Sequence, residues 1–283
     1  MEFVYELNES SNLSIDIIGT KAYGLFLLLK NKIRVPPASV ISTKAYSYFL
    51  DFAKNKTSLD FQWPKYLLEE VKETFLKYKS QNLLPLAVRS SGIGEDKKHA
   101  SYAGQLHTEL NVKDFNQLLN AILKCWKSSL SENYLEYHLH KSFDKTSPKM
   151  AIIIQQMVDP FVSGVMFTAH PVTSDLSKLI IETHKGLAQN VVDGRLNCER
   201  YIFDKISKQF SYETSILNQG NPFLSSNEAE KLFKFGITIQ DIFKWPQDIE
   251  WSIVQDTDGN KFIDFLQSRP ITTLYFAKNR EGM

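Results

Sequence analysis

Helical and strand periodicities are segregated along this chain, and that segregation restricts its fold more than any other feature. In the first half, apolar residues recur at three- and four-residue spacing. Segment 20–31 puts Ala22, Leu25, Leu28 and Leu29 on one face before Arg34-Val35-Pro36-Pro37 stops it. Segment 43–54 opens on a capping Thr43 and carries Ala45, Phe49 and Phe52, while 64–79, with Pro64 in its first turn, carries Leu67, Leu68, Val71, Phe75 and Tyr78. Asp114 caps a long helix striped by Leu118, Leu119, Ile122, Trp126 and Leu130. Strands are expected at 39–41, 83–88 and 106–112. In the second half strand patterns dominate, over 151–158, 162–168, 179–182, 201–203, 249–254 and 262–267. One helix interrupts them, announced by a capping box of Ser225 and Glu228 ahead of Leu232, Phe233, Ile237 and Ile239. Helices early and sheet late define an α+β chain. The polar break Lys145-Thr146-Ser147-Pro148 divides it into lobes of residues 1–147 and 148–283.

Charge and composition exclude several classes. Thirty-three Lys and Arg against 32 Asp and Glu leave a net charge of +1, too little to recruit nucleic acid or anionic lipid. No run approaches the roughly 18 apolar residues of a membrane span, and the start MEFVYELNESSN has no cationic segment ahead of an apolar core, so no membrane partner is expected. Cys125 and Cys198 lie far apart without CxxC spacing, which suits a reducing, cytoplasmic setting. The histidines at 99, 107, 138, 140, 170 and 184 lack ligand spacing, and no Ser-His-Asp elbow, HExxH or Rossmann glycine pattern is present. Of only 12 glycines, Gly19, Gly24, Gly92, Gly94, Gly104, Gly164, Gly186 and Gly194 are clustered, which points to close backbone approach there.

Four segments carry chemistry. Leu86-Ala87-Val88-Arg89-Ser90-Ser91-Gly92-Ile93-Gly94-Glu95-Asp96, followed by Ser101-Tyr102-Ala103-Gly104-Gln105, places a guanidinium at a strand exit beside hydroxyls and glycine loops, as polyphosphate binding requires. An Arg89 paired with Glu95 or Asp96 beside an ordinary turn reads equally well from spacing alone. Lys21, near a helix start between Gly19 and Gly24, is either a second phosphate ligand or a solvated lysine. Gln156-Met157-Val158 ends an apolar strand whose backbone can meet a purine edge, although any core strand looks similar. The last segment is a hairpin with its turn at 256–261. If Val254 pairs with Ile263, antiparallel geometry sets Glu250 directly opposite Gln267 on one face, with Asp248 and Arg269 nearby. A carboxylate and a carboxamide there suit a Mg²⁺ ion that takes further oxygens from phosphate and water. A one-residue slip sends Gln267 to the other face, and a Glu250–Arg269 ion pair is the competing reading.

Taken in order, these segments resemble the nucleotide-binding domain of the family of phosphoenolpyruvate synthase, pyruvate phosphate dikinase and rifampicin phosphotransferase. The resemblance rests on IGTKAYGLFLL, VPPASVISTKAY, LAVRSSGIGEDKKHASYAGQLHTELNV, CWKSSL, IIIQQMVDPFVSGVMFTAHPVT, DGRLNCERYIFDK and PQDIEWSIV…DFLQSRPITTL, running from Ile15 to Leu274. It implies an ATP-grasp fold in which two lobes enclose a nucleotide cleft. It further implies that Lys21 and Arg89, with Ser90, clamp the polyphosphate, that Gly104 and Gln105 form a small loop over it, and that Gln156, Met157 and Val158 hold the adenine. Glu250 and Gln267 take the place of the family's Mg²⁺ ligands, with Asp248 a supporting acid and Arg269 a phosphate ligand; Arg89, Lys21 and Arg269 become the catalytic cations.

The chain departs from that pattern in three places. The family's usual Gly-Leu-Gly-Glu run reads Gly186-Leu187-Ala188-Gln189 here, so neutral Gln189 replaces an acid near the nucleotide. Thr20 stands in the glycine pair ahead of the lysine. Relatives also continue into a swivelling domain with a phosphorylatable histidine, a context none of the histidines here occupies. The expectation is therefore an ATP-dependent phosphotransferase module that passes the β-phosphoryl of Mg·ATP to a histidine on a swivelling domain supplied in trans. A nucleotide-binding regulatory subunit without transfer activity, and an ATP-grasp ligase forming an acyl phosphate, are the alternatives.

Overall fold

The computed structural model describes residues 2–55, 61–94, 106–130, 149–186, 199–214, 222–272 and 274. These fall into two compact units, one of residues 2–32 and 36–157, the other of 33–35 and 158 onward.

The first unit is built on a five-stranded antiparallel sheet ordered β1-β2-β5-β3-β4, from β1 (Val4–Glu6), β2 (Ala38–Ile41), β3 (Leu86–Gly92), β4 (Thr108–Val112) and β5 (Met150–Gln156). Alternation sends Leu86 and Val88 of β3, and Met150, Ile152 and Ile154 of β5, into a core with α2 (Thr43–Asn55), α3 (Lys65–Ser80) and α4 (Phe115–Ser128). Trp126 sits at its centre, fully buried, with the rings of Tyr46, Phe49, Phe61 and Trp63 at centroid distances of 5.6–6.3 Å. α4 is capped as expected, the Asp114 carboxylate accepting from Gln117 N–H. The remaining helix, α1 (Ile15–Lys30), packs against β3 and β5 and buries Ile18, Ala22, Leu25 and Leu28.

Two expectations change here. β3 does not stop at Val88. It continues to Gly92 because β5 and β4 flank it on both sides, pairing Arg89 with Ile153 and with Thr108. Arg89 is therefore a mid-strand residue. The polar break at 145–148 lies outside the described residues, but the strand after it, expected to open the second lobe, is hydrogen-bonded between β2 and β3 and completes the first sheet. Its apolar side chains are needed in the Trp126 core, so the unit runs on to Met157.

The second unit is a six-stranded antiparallel sheet ordered β11-β10-β6-β7-β8-β9. Its strands are β6 (Pro160–Phe167), β7 (Lys178–Lys185), β8 (Glu199–Asp204), β9 (Phe210–Thr214), β10 (Gln247–Gln255) and β11 (Lys261–Pro270). The helix α5 (Ser226–Phe243) begins with the expected capping box, both hydrogen bonds being made between Ser225 and Glu228. It lays Leu232, Phe233, Gly236 and Ile239 on one sheet face; Ile237, expected in that stripe, is exposed. The strands β1 and β9 were not foreseen; both are edge strands, of three and five residues, and β9 carries the alternation Phe210-Ser211-Tyr212-Glu213 that could have announced it. No helix among the described residues is long and apolar enough to cross a membrane.

Residues 33–35 join the second unit along β11. Phe265 N–H donates to the Arg34 carbonyl at 3.0 Å, Arg34 Nε donates to Asp264 Oδ1 at 2.5 Å, and the guanidinium lies 4.5 Å from the Phe262 ring centroid. The Asp264 side chain is only 3% exposed, and burial pushes its carboxyl pKa up against the opposing pull of Arg34. A native carboxyl that holds its proton more tightly than the unfolded one loses stability as pH rises through the carboxylate range. Arg34→Ala strengthens that effect. Because Arg34 is half exposed, the loss at pH 8 is expected to be about 2 kcal/mol, below that of a fully buried pair, and smaller at pH 5 where Asp264 can take a proton. Urea unfolding at both pH values checks this, and an equal loss at each would contradict it.

Candidate functional site

In the second unit the site is a hairpin whose register differs from expectation and still delivers the expected pairing. Near the turn the partners are Val254 with Phe262, Ile253 with Ile263 and Trp251 with Phe265, one residue away from the expected Val254–Ile263 pair. Between Trp251 and Glu250 the register shifts, with Leu266 as the extra residue, and from there Glu250 faces Gln267 and Asp248 faces Arg269. One slip cancels the other. Trp251 and Phe265 are fully buried on the α5 side, where Phe265 meets Phe235 edge-on at 5.2 Å, so alternation turns Asp248, Glu250, Gln267 and Arg269 to the opposite face.

Gln267 is buried there, and Arg269 donates Nε and Nη2 to Asp248 Oδ2 at 2.8 and 2.7 Å. Asp248, the register partner of Arg269, is thus an acid that engages it across the hairpin. The row through Glu250 continues over Val165 to Glu182 and Arg200 by strand register. Arg200 grips Glu182 Oε1 with Nε at 3.1 Å and Nη2 at 2.7 Å. Sequence reading did not single out this pair, because the run Leu179-Ile180-Ile181 ahead of Glu182 is apolar at every position and carries no alternation that assigns a face.

In the first unit, Lys21 and Arg89 are tied together by a break in α1. Gly19 leaves the helix with φ +73° and ψ 172°, and β3 presses against the break so closely that a Cβ at Gly19 would lie 2.0 Å from the Ser91 carbonyl oxygen. In an unbroken helix Ala22 N–H would bond to the Ile18 carbonyl. Here the Ser91 hydroxyl is inserted between them, donating to Ile18 O at 2.9 Å and accepting from Ala22 N–H at 3.1 Å. On the other side of Lys21, the Thr20 hydroxyl accepts from Gly94 N–H at 3.0 Å. Lys21 is therefore flanked by two residues pinned to the segment that directly follows Arg89.

Ser90 does not join them. It is buried on the α4 side of β3, donating its hydroxyl to the His107 carbonyl at 2.6 Å, because neighbouring strand residues face opposite ways. The hydroxyl on the Arg89 face is Ser91. Also on the α4 side is the Cys125 thiol, which burial pushes up to about 12, so Cys125 is unreactive core. At the end of β5, Gln156 N–H donates to the Pro37 carbonyl at 2.9 Å and Met157 N–H to the Pro85 carbonyl at 3.0 Å. Both amides expected to face a purine edge are already engaged, and none of the described hydrogen bonds uses Val158 N–H. Gly104, Gln105 and Gln189, with the alternative Arg89 partners Glu95 and Asp96, lie outside the described residues.

Residues 55–283 match the family described as pyruvate phosphate dikinase, AMP/ATP-binding domain. A probable phosphoenolpyruvate synthase of Methanocaldococcus jannaschii is 28% identical over 332 aligned positions, covering 99% of this chain and 28% of that protein. The phosphoenolpyruvate synthase of Pyrococcus furiosus is 26% identical over 361 positions, covering 96% and 44%. A rifampicin phosphotransferase of Bacillus cereus is 36% identical over 208 positions, covering 67% and 23%. The chain spans less than half the length of each of these relatives.

The pin at Gly19 has a measurable cost of removal. Gly19→Ala combines a left-handed φ with overlap onto β3 backbone and is expected to destabilise the fold by about 3 kcal/mol. Gly259→Ala, at φ +85° with a flexible side-chain atom 3.5 Å away as its nearest neighbour, is expected to cost about 1 kcal/mol. Denaturant unfolding of both variants makes the comparison, and losses of equal size would argue against the close approach.

Proposed function

We propose, from the fact that this chain belongs to the pyruvate phosphate dikinase AMP/ATP-binding domain family, that it is an ATP-grasp module transferring the β-phosphoryl of Mg·ATP to a histidine on a swivelling domain. The observation that carries this reading is the hairpin register, which gathers Asp248, Glu250, Gln267 and Arg269 on one face of the second sheet. An acid, an amide and a guanidinium in that order suit a metal-bound triphosphate and have no role in a core.

The donor set fits magnesium. Glu250 and Gln267 offer hard oxygen ligands from facing register positions, and among the described residues no three His, Cys, Asp or Glu side chains converge to make a self-sufficient cage. A Mg²⁺ ion held by these two would draw its other ligands from phosphate and water, and would supply charge neutralisation on the phosphoryl oxygens. Arg269, oriented by Asp248, offers a fixed cation beside it. Lys21 and Arg89 are the cations that bind and orient the phosphate chain, and the segment after β5 holds the adenine through Val158 N–H.

In the transfer, the acceptor imidazole attacks the β-phosphorus, the bond to the α,β-bridging oxygen breaks, and AMP leaves with that oxygen's electron pair. Water takes the γ-phosphoryl, giving inorganic phosphate. The chain's own part is positioning and charge stabilisation, since phosphoryl transfer asks for little else.

With a phosphohistidine-domain partner present, AMP is the expected nucleotide product; ADP alone would favour acyl-phosphate ligase chemistry, and no product with any partner would favour a regulatory subunit. Arg89→Ala is expected to lower turnover by a factor of about 1,000 or more while ATP binding weakens far less. Single-turnover assays beside calorimetric titration separate the two, and unchanged turnover removes Arg89 from the mechanism.

A further inference from the structure

Lys205, directly after β8, spends its ammonium on the framework behind the hairpin. Its Nζ donates to the Thr168 carbonyl, to the Leu176 carbonyl at 3.0 Å and to Gln240 Oε1 of α5 at 3.0 Å, which uses all three of its N–H bonds. All three partners are uncharged. Its own main-chain N–H donates to the Ser177 carbonyl at 2.8 Å. Burial pulls the ammonium's pKa below the ordinary lysine value, with Asp175 and Asp241 pulling the other way. A half-buried charge given to neutral oxygens is costly, so what those oxygens do is the question.

Thr168 answers it. Asp248 pairs with Phe167 in the β6–β10 ladder, and the next step outward brings Gln247 to Thr168. A regular antiparallel pair there would exchange two main-chain bonds. Thr168 N–H does donate to the Gln247 carbonyl at 2.9 Å, but Gln247 N–H donates to the Thr168 hydroxyl at 2.7 Å and not to its carbonyl. That carbonyl is turned to Lys205 instead. Thr168 and Gln247 are both fully buried, so the exchange is made without water. Gln247 in turn accepts from the Ser268 hydroxyl at 2.9 Å, which ties it to β11 between Gln267 and Arg269.

We propose that Lys205 is a positioning residue for the polar face of the hairpin, fixing the places of Asp248 and Arg269 through Thr168 and Gln247. The proposal rests on the nucleotide reading above. Without the ammonium, the Thr168 carbonyl loses its donor unless it takes back the Gln247 N–H, and that exchange shifts the end of β10 together with the carboxylate that holds Arg269.

The test titrates Mg·ATP calorimetrically into the 283-residue chain carrying Lys205→Met, Asp248→Asn or both, with a melting curve for each. Each single change should weaken binding by about tenfold, and the double variant should also lose only about tenfold, because the two act through one contact. Independent effects would multiply to about a hundredfold, and that result, or native affinity in Lys205→Met, overturns the proposal whatever the melting temperature. If Lys205→Met folds poorly, Lys205→Ala supplied with n-propylammonium, which replaces the atoms removed, takes its place. Melting temperature and Mg·ATP affinity should then recover together, with 1-propanol restoring neither. Recovery of the melting temperature without the affinity, or of neither, overturns the proposal. Failure of the native chain to bind Mg·ATP instead defeats the nucleotide reading on which it stands.

Discussion

Strand parity is the constraint on which everything else in this molecule depends. In the second unit α5 claims one face of the sheet, and Trp251 and Phe265 are committed to it. Without an extra residue in β11, Gln267 would fall on that apolar face, where an unpartnered carboxamide costs a few kcal/mol. The irregularity at Leu266 removes the conflict by changing phase once. The turn end of the hairpin serves the core, and the far end delivers Asp248, Glu250, Gln267 and Arg269 to the other side. A bulge placed between a packed aromatic pair and a polar quartet is a working part of the strand, not a defect in it.

Parity also explains why the first unit arranges its cations as it does. Its sheet carries the Trp126 core on one face and meets α1 from the other, so a charged group on the α1 face needs a place where that helix is interrupted or the sheet runs past it. The Gly19 break provides such a place. Ser91 fills the gap in the helix ladder with one hydroxyl that serves both as donor and acceptor, so the interruption leaves neither Ile18 O nor Ala22 N–H unpaired. Thr20, which departs from the glycine usual at that position, has acquired a bond of its own to Gly94.

Much of this was legible in the sequence, and the failures share one cause. Helix stripes, the Asp114 cap, the Ser225–Glu228 box and the hairpin were readable because each is encoded within a few residues. Phase was not, because it is set by partners far away in the chain. Period-two alternation says that Arg89 and Ser91 share a face, but not which face packs on the core; hence Ser90 was chosen where Ser91 stands on the Arg89 side. The boundary near residue 147 failed likewise, since local polarity marks where a helix gives out, and membership of β5 in the first sheet is decided by β2 and β3. Clustered glycines were read as close backbone approach, and the sequence did not say to what. At Gly19 and Gly164 the close neighbour is the protein's own backbone, a Cβ at either lying 2.0 Å from a carbonyl oxygen, of Ser91 and of Glu182.

These local devices bear on the proposed chemistry through the cost of ordering. A flexible lysine or arginine fixed only when substrate arrives gives up side-chain entropy of the order of 1 kcal/mol, which subtracts from binding. Here Arg269 is already held at two points by Asp248, and the residues on both sides of Lys21 are bonded, Ala22 through its N–H to the Ser91 hydroxyl and Thr20 through its hydroxyl to Gly94 N–H. Each arrangement is complete within its own unit. The ordering is therefore met during folding, by contacts that do not include the nucleotide. At Arg269 a held guanidinium can stabilise a transferring phosphoryl group without reorganising at the moment of reaction, while at Lys21 the anchored neighbours fix where the side chain starts.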